Sequence, residues 1–314
     1  MKVAVIGAGR NRTGIGQFIG KYFQQNGATA ISVLGTTEES AHNASSNLKQ
    51  YGIDATSYTD FNRMVEEGKP DTVVIASPTS THYEYLIKSV EAGLHIFCEK
   101  PFIFQEKGNI KELLENIFET AKSKNLKIAM NSQWPFSLPY YEDLCGKINS
   151  KKADSFFIRL SPMREGKDMI IESIPHALSI LYHTFGEGEI TDLTIELHEE
   201  KMIIKFNYRS HNKVCNVLIR LVRKEYQPRD LSFGFNDKIV KRSLDLENYD
   251  IYFNHANRTL KIVDPLDLSV QDFITSVREQ REPLIGKSHI MCNTILAKQI
   301  YDSCETSASA QWTN

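Results

Sequence analysis

The sequence predicts an α/β protein in which a doubly wound parallel sheet is followed by an α+β domain with a large, mostly antiparallel open sheet. Two patterns predict this fold class. In the first hundred residues, short apolar runs alternate with segments of helical periodicity, which is typical of a parallel sheet covered by helices on both faces. From Asp154 onward, apolar and polar residues alternate over long stretches, as an antiparallel sheet with one solvated or covered face requires.

The N-terminal part of the chain predicts five strands, each a short apolar run that ends at a turn residue. They are 2–6, 30–34, 72–76, 94–98 and 127–131. Apolar residues at helical spacing predict helices over 15–25, 38–51, 61–67 and 83–92. The last of these ends at Gly93, a residue type suited to a helix C-terminus.

The later part of the chain predicts strands over 155–160, 193–198, 202–208, 214–222 and 250–253. It also predicts helices around 175–185, 270–280 and 288–304. The change of pattern divides the chain into predicted domains of residues 1–123 and 124–314. We expect the final helical segment of the second domain to pack back toward the first.

Composition excludes several classes of protein. A chain of 314 residues that is 41% hydrophobic can form two ordinary cores, and 37 basic against 39 acidic residues give a net charge of −2, unlike a general nucleic-acid binder. Five widely spaced cysteines with no CxxC pair favour reduced thiols over disulfides or a structural zinc. The apolar stretch 3–6 is too short for a signal peptide or a membrane span. We therefore expect a cytoplasmic protein with no metal site, and neither nucleic acid nor a membrane as partner.

A glycine-rich loop follows the first predicted strand. Gly7, Gly9 and Arg10 stand directly after the strand, and Gly14 precedes the first helix. Glycines there let backbone N–H groups approach the pyrophosphate of a dinucleotide, which the helix N-terminus favours electrostatically. The usual third glycine falls at Arg12, so the loop is two residues longer than usual. The alternative is an ordinary glycine-containing turn.

The end of the second predicted strand bears on the choice of cofactor. Thr36 and Thr37 follow it where a carboxylate would grip the ribose 2′-hydroxyl of NAD. Without that carboxylate, a 2′-phosphate meets no repulsion, and Arg10 or Arg12 offers a positive charge for it. The sequence therefore favours NADP over NAD.

Polar residues follow two further strands at their carboxyl ends, where ligands bind in open α/β sheets. Ser77, Pro78 and His82 follow the strand 72–76, and Glu99 and Lys100 follow the run 94–98. The alternative for the Glu-Lys pair is a surface ion pair of little energetic value.

Farther along the chain, Glu172 and His176 lie four residues apart. On a helix this spacing places an acid and a histidine on one face. The alternative is a capping glutamate and an ordinary helical histidine.

Together, the glycine loop, the S-P-x-x-x-H and E-K-P motifs and the later acid-x-x-x-His resemble the Gfo/Idh/MocA family of nicotinamide-dependent oxidoreductases. The resemblance covers essentially the whole chain. It implies a Rossmann NAD(P)-binding domain and a substrate-binding domain whose open sheet forms a homodimer or homotetramer. It also implies oxidation of a sugar or cyclitol hydroxyl, or the reverse reduction, with a small polar substrate. The residues expected to bind the cofactor are Gly7, Gly9, Arg10, Gly14, Thr36, Thr37, Ser77, Pro78, His82, Glu99 and Lys100.

By the same resemblance, Lys100 is the catalytic lysine beside the nicotinamide, and His176 is the active-site histidine. Glu172 stands where the family often has aspartate, and Ala177 replaces an aspartate that frequently follows the histidine. The segment 131–134 also departs from the family pattern, so substrate contacts do not transfer.

Hydride transfer from a secondary alcohol needs a base for the hydroxyl proton. Either Lys100, if its surroundings favour the neutral amine, or His176 can take this proton, and the sequence leaves both assignments open. Two other functions also stay open: an imine- or lactone-type reductase of the same fold, and a catalytically silent NADP-sensing regulatory protein.

Three basic residues precede Glu172, namely Arg159, Arg164 and Lys167. They offer a site for a phosphate or carboxylate of the substrate, and the alternative is a charged, solvated loop. Trp134 and Tyr140 either stack on a sugar ring or only pack in the interior.

Overall fold

The computed structural model of the protein describes residues 1–9, 14–104, 108–211 and 213–310, of which 305–310 are described by their backbone alone. The chain forms two compact units. The N-terminal unit comprises Met1–Asn131 and Leu266–Met291, and the C-terminal unit comprises Ser132–Pro265 and the chain from Cys292 onward.

In the described part of the chain, the strands are β1 (Lys2–Ile6), β2 (Thr29–Leu34), β3 (Thr56–Tyr58), β4 (Thr72–Ile75), β5 (His95–Glu99), β6 (Ile128–Asn131), β7 (Ser155–Leu160), β8 (Glu189–His198), β9 (Lys201–Ser210), β10 (Lys213–Val222), β11 (Leu231–Phe235), β12 (Lys238–Leu244), β13 (Ile251–His255) and β14 (Arg258–Ile262). The α-helices are α1 (Gly16–Gln25), α2 (Glu38–Lys49), α3 (Phe61–Gly68), α4 (His82–Glu91), α5 (Ile110–Ser123), α6 (Leu138–Cys145), α7 (Asp168–Phe185), α8 (Pro265–Glu279) and α9 (Lys287–Ala310). Short 3-10 turns occupy Thr79–Thr81 and Trp134–Ser137.

The N-terminal unit contains a six-stranded parallel sheet in the order β3-β2-β1-β4-β5-β6. All four residues of β4 are buried, which is why Val73, Val74 and Ile75 form an apolar run after Thr72. The predicted doubly wound sheet is confirmed. The strand order reverses between β1 and β4, and ligands of such sheets bind beyond the carboxyl ends of the strands at this point.

Two elements of the N-terminal unit were not predicted. Strand β3 has only three residues, two of them exposed, so it carries no apolar run. Helix α5 does bury a stripe that includes Ile110, Leu114 and Ile117, a pattern that the sequence carries and that was overlooked.

The N-terminal unit extends beyond the predicted boundary after residue 123. Strand β6 belongs to it because β6 pairs with β5, with Asn131 opposite Glu99. Helix α8 supplies Phe273 to the core of this unit, where its ring packs against those of Phe23 and Phe97. Local sequence patterns do not indicate that a helix more than a hundred residues later packs into the core of the N-terminal unit.

The C-terminal unit contains an eight-stranded sheet in the order β14-β13-β12-β11-β7-β10-β9-β8. Only β7 and β10 pair in parallel, so the predicted mostly antiparallel sheet is confirmed. Buried and more exposed residues alternate along β9, and the buried face packs into a core that includes Phe156, Ile158 and Ile204.

Helix α7 begins at Asp168, seven residues before the predicted start at 175. Pro175 lies inside the helix, where the sequence suggested a helix start. Its carbonyl oxygen accepts hydrogen bonds from Ser132 Oγ at 3.2 Å and Asn293 Nδ2 at 2.8 Å. Glu172 and His176 therefore both lie on α7, one turn apart. Among the helices described, none is long and apolar enough to cross a membrane.

Candidate active site

The loop after β1 requires glycine at its first position. Gly7 has a φ of +93°, and a Cβ atom there would lie 2.5 Å from the backbone carbonyl of Ala76 at the end of β4. A Cβ atom on Gly9 would lie 2.5 Å from the backbone oxygen of Ser40. The backbone of this loop therefore packs directly against the backbone of Ala76 and Ser40, with no room for side chains at Gly7 and Gly9. Gly14 comes two residues before α1, whereas Arg10 and Arg12 fall outside the described residues.

The N-terminus of α1 has the features of an anion site. Its cap residue, Ile15, makes no side-chain cap hydrogen bond, and no acidic residue lies in the first turn. The first helical N–H groups have no intrahelical acceptor, and the helix dipole favours negative charge there. Gly16 lets the start of α1 pack closely against the loop after β1, because a Cβ atom on Gly16 would lie 3.1 Å from the backbone of Ala8. These observations fit the pyrophosphate of a dinucleotide.

The end of β2 is occupied by a helix cap. Thr37 precedes α2, its Oγ1 accepts the backbone N–H of Ser40 at 3.1 Å, and its own N–H donates to Ser40 Oγ at 2.9 Å. This is a capping box, in which the Thr37 hydroxyl already serves the helix. Thr36 is exposed, and the first turn of α2 carries Glu38 and Glu39.

His82 lies buried between two loops at the carboxyl edge of the sheet. Its Nε2 lies 3.0 Å from the carbonyl oxygen of Ser77, after β4, and its Nδ1 lies 2.9 Å from that of Pro101, after β5. The side chain is about 1% exposed. His82 thus holds the loops that carry Ser77 and Lys100 through backbone contacts, and it is a positioning residue rather than part of a cofactor-facing surface. The backbone of Pro78 precedes a 3-10 turn, which Thr81 Oγ1 closes by donating to the Pro78 carbonyl at 2.8 Å.

Lys100 follows β5 directly. The preceding residue, Glu99, ends the strand and accepts a hydrogen bond from Asn131 Nδ2, which lies opposite it on β6. Lys100 is half-buried, and the peptide bond between it and Pro101 is cis. The backbone on both sides of Lys100 is therefore anchored, by β6 on one side and by His82 on the other.

His176 and its neighbours belong to the C-terminal unit. His176 Nδ1 lies 3.3 Å from Ser132 Oγ, and the ring contacts Trp134 edge to face with centroids 6.3 Å apart. These two contacts fix the orientation of the imidazole on α7.

Glu172 holds several donors at once. Its Oε1 accepts a hydrogen bond from Arg229 at 2.9 Å, and its Oε2 accepts the backbone N–H groups of Met163 and Arg164 at 3.0 Å each. The carboxylate therefore fixes the loop before α7 and orients Arg229. Its acid–base partnership with His176 stays a prediction.

The three basic residues predicted near the substrate each have a partner. Arg159 pairs with Asp230 at 3.0 Å and Arg164 with Asp168 at 3.2 Å, while the Lys167 ammonium lies 3.5 Å from the centroid of the Tyr301 ring. This arrangement agrees with the alternative of a charged loop. Tyr140 packs against the core.

Arg242 was missed by the sequence analysis. Its guanidinium lies over the ring of Trp134, 5.7 Å from the centroid, and donates a hydrogen bond to the backbone carbonyl of Arg229. No motif surrounds it in the sequence. The only available signal is its alternation with Val240, which predicts an inward-facing position.

Within the described residues, no group of three histidine, cysteine, aspartate or glutamate side chains is placed to hold a metal ion. Lys100 belongs to the N-terminal unit and His176 to the C-terminal unit.

Known proteins resemble the N-terminal unit most clearly in sequence. Residues 1–132 match the model of an oxidoreductase family with an NAD-binding Rossmann fold, Gfo/Idh/MocA. D-glucoside 3-dehydrogenase of Escherichia coli is 32% identical over 101 residues, which cover 32% of this chain and 27% of that protein. Inositol 2-dehydrogenase of Klebsiella pneumoniae is 32% identical over 114 residues, which cover 34% of this chain and 31% of that protein. The match thus spans about a third of the length of these relatives.

A solved structure extends the likeness in fold to both units. UDP-N-acetylglucosamine 3-dehydrogenase from Acidithiobacillus ferrooxidans superimposes with a TM-score of 0.73 at 17% identity, over 98% of each chain. Residues 1–132 are therefore similar to the NAD-binding Rossmann domain of the Gfo/Idh/MocA oxidoreductases, and the solved structure has a similar fold over both units.

Proposed function

We propose that the protein is an NAD(P)-dependent oxidoreductase that transfers hydride between the nicotinamide and a hydroxyl or carbonyl carbon of a small polar substrate, sugar-like or cyclitol-like. The observation that carries this proposal is Lys100 at the carboxyl end of β5, anchored through Glu99 and Pro101 beside the end of β4. The named activities of the glucoside and inositol dehydrogenases support the substrate class.

The backbone of the N-terminal unit fits a dinucleotide. A Cβ atom at Gly7 or Gly9 would collide with neighbouring backbone, so the loop approaches the strand ends as closely as a pyrophosphate cradle requires. The bound nicotinamide would supply the hydride acceptor or donor. Ser77 and Pro78 would contact the cofactor at the end of β4, and Lys100 would orient the substrate oxygen beside it.

The proton of the substrate hydroxyl has two candidate acceptors. A protonated Lys100 polarises the oxygen while His176 accepts the proton, or a neutral Lys100 accepts it directly. We favour His176, because Ser132 and Trp134 hold its ring in place. In that case His176→Gln removes the acidic limb of the pH profile of kcat/KM for alcohol oxidation. A retained limb assigns the proton to another group.

Replacement of Lys100 tests the proposal. Lys100→Ala is expected to lower kcat by about 10²- to 10⁴-fold, the usual range for loss of a proton-transfer or polarising group. The cofactor Kd is expected to change by less than about threefold, since the binding loop is elsewhere. Lys122→Ala, on the exposed face of α5, is the matched control and leaves both constants unchanged. Activity is followed by nicotinamide absorbance with sugars, cyclitols and cyclic imines, and wild-type turnover in Lys100→Ala would contradict the proposal.

The cofactor preference depends on the end of β2. The missing carboxylate after β2 favours NADP, but the Thr37 hydroxyl caps α2, and Glu38 and Glu39 place negative charge beside the expected 2′-phosphate. We therefore propose that NAD binds at least as tightly as NADP. Titration of protein fluorescence with each cofactor measures the two Kd values. Tighter binding of NADP would overturn this point and direct attention to Arg10 and Arg12.

The exposed face of the eight-stranded sheet supports a homodimer or homotetramer as part of the proposal. Val214 on β10 and Ile239 on β12 point away from the core and are 38–41% exposed, and apolar side chains on such a face suit contact with a second copy of the chain. Val214→Glu is expected to shift the species seen by light scattering toward the monomer. A wild-type protein that is monomeric at micromolar concentration would refute the assembly. The five cysteines, all in the described residues and all buried thiols, support the proposed cytoplasmic location.

A further inference from the structure

Arg242 occupies a place on the buried face of the eight-stranded sheet where its neighbours are apolar. It is two residues from Val240 along β12 and lies opposite Phe253 on β13, and both of these side chains are fully buried. Because side chains alternate between the two faces of a strand, Arg242 points to the same face as Val240. Arg242 itself is half-buried, so its charge is partly withdrawn from water at a cost in free energy.

The described residues give Arg242 little compensation. Its guanidinium donates one hydrogen bond, to the carbonyl of Arg229, and no carboxylate of the described chain lies within ion-pair distance of it. The nearby carboxylate of Glu172 is already paired with Arg229. A guanidinium has five N–H donors, and those of Arg242 that make no hydrogen bond within the described residues are open to solvent rather than buried.

The electrostatic surroundings agree with this geometry. Burial lowers the pKa of Arg242 to about 10, and the charge of Arg229 acts in the same direction, against Asp264 and Asp230 at longer range. The group is still a cation at neutral pH. Arg159 and Arg164 differ from it, because each is paired with an aspartate.

We propose that Arg242 and Trp134 form a subsite for an anionic group of the substrate, a carboxylate or a phosphate. Two N–H groups of a guanidinium match the two oxygens of such a group, and the indole offers a flat surface to the adjoining C–H face of a sugar. The edge contact between Trp134 and His176 links the subsite to the proton-transfer residue. The inference rests on the proposed function, because it takes the molecule that bears the anionic group to be the substrate of the oxidoreductase. The substrates expected are then sugar acids or sugar phosphates.

A binding measurement tests the subsite without turnover. The chain has two tryptophans, Trp134 and Trp312, so Trp312→Phe leaves the indole N–H of Trp134 as a single NMR resonance. Inorganic phosphate and malonate, titrated separately into this protein, are expected to shift that resonance saturably, and the anion with the lower Kd identifies the group preferred. The proposal would be overturned if neither anion gave a saturable shift up to about 50 mM, because a subsite with a Kd weaker than that would contribute little to substrate binding.

Variants at Arg242 locate the site. In the same background, Arg242→Gln is expected to raise the Kd at least about tenfold, and Arg242→Lys to raise it less, because lysine keeps the charge and loses the paired donors. Arg258→Gln is the matched control, since Arg258 lies on the same sheet but pairs with Asp143. Thermal unfolding checks that each variant is folded. Unchanged anion binding in Arg242→Gln or Arg242→Lys would contradict the proposal, and an equal loss in Arg258→Gln would do so too.

Kinetics separates this inference from the proposed function. For a substrate and its neutral analogue without the acidic group, Arg242→Gln is expected to raise KM for the acidic compound by about tenfold or more and to leave the neutral one nearly unchanged. If hydride transfer fails to depend on Lys100, the proposed function is wrong while the anion titration stands. If KM rises equally for both compounds, the subsite is wrong while the oxidoreductase assignment stands.

Discussion

The two groups of candidate residues are built in different ways. Lys100 and its neighbours lie at strand ends of the N-terminal unit, and backbone carbonyls, a buried histidine and a strand-to-strand pair hold them. His176 and Glu172 on α7, Trp134 in a 3-10 turn and Arg242 on β12 come from three segments of the C-terminal unit, and contacts of their side chains bring these segments together. The first group is a local consequence of sheet topology, whereas the second exists only after distant segments have packed. We therefore expect substitutions that strain the backbone near the first group to destabilise the protein strongly. In the second group, we expect each side-chain replacement to have a smaller effect.

Gly7→Ala is expected to have the largest effect, and it tests whether the backbone near the strand ends of the N-terminal unit tolerates change. The added Cβ atom meets the Ala76 backbone at 2.5 Å, at a φ of +93°. Backbone strain and steric overlap together are expected to lower the free energy of unfolding by about 4 kcal/mol, measured by urea denaturation. Gly93→Ala is the control, because its φ is +76° but nothing lies within 4 Å of the new atom, and it is expected to cost about 1 kcal/mol. Equal losses in the two variants would remove the argument from close approach.

His82→Ala tests whether one buried side chain holds both loops. Its loss leaves the carbonyls of Ser77 and Pro101 without their imidazole partner and opens a small cavity. We expect a loss of about 2–3 kcal/mol in unfolding free energy and a lower kcat with a nearly unchanged KM, since Lys100 is displaced rather than removed. His42→Ala, on the exposed face of α2, is expected to change neither value. A kcat at the wild-type level in a destabilised His82→Ala would reduce the histidine to a purely structural role.

Glu172→Gln tests how far the candidate residues of the C-terminal unit depend on a single side-chain contact. The amide keeps the shape but loses the ion pair with Arg229, whose side chain is 31% exposed, against 20% for that of Glu172. Partial exposure screens the pair, so we expect a loss of only about 1 kcal/mol in unfolding free energy, together with a measurable rise in KM. Glu165→Gln, at a 3.6 Å pair with Arg223 where the glutamate side chain is 70% exposed, is expected to have no effect. A rise in KM of the same size in both variants would indicate a general charge effect.

The pH dependence of stability is expected to give the smallest effect, and both units contribute to it. Burial lowers the pKa of His95 in the N-terminal unit and that of His183 in the C-terminal unit. The unfolded chain therefore binds protons first as the pH falls below about 6.5, so stability is full above that pH and declines below it. His95 Nδ1 also accepts the backbone N–H of Lys127 at 2.9 Å, a bond that protonation removes.

Urea unfolding at about pH 7.5 and about pH 5.5 measures this decline. His95→Gln and His183→Gln are each expected to reduce the difference between the two pH values. A difference that neither replacement changes would assign the decline to other groups.

The sequence predicted the parallel sheet, the alternation of the second sheet and the residues at the ends of β4 and β5, because these are set by local periodicity and by neighbours along the chain. It did not predict the buried place of His82, whose partners Ser77 and Pro101 are separated by 24 positions and meet only across adjacent strands. It also missed Arg242. A lone arginine in a short strand resembles any solvated residue until the partner strands define which face is buried.

What the sequence determined by itself is the set of elements and the chemical groups at their ends, since hydrophobic periodicity and glycine conformation act over a few residues. The tertiary structure decided which of those groups are already engaged. Thr37 caps a helix, Glu172 binds Arg229, and Arg159 and Arg164 pair with aspartates. Polar groups that looked available in the sequence are thus already bonded to partners far along the chain or one helical turn away. Arg242 is left as a half-buried cation with no ion pair among the described residues, because burial and ion pairing depend on distances that only packing fixes.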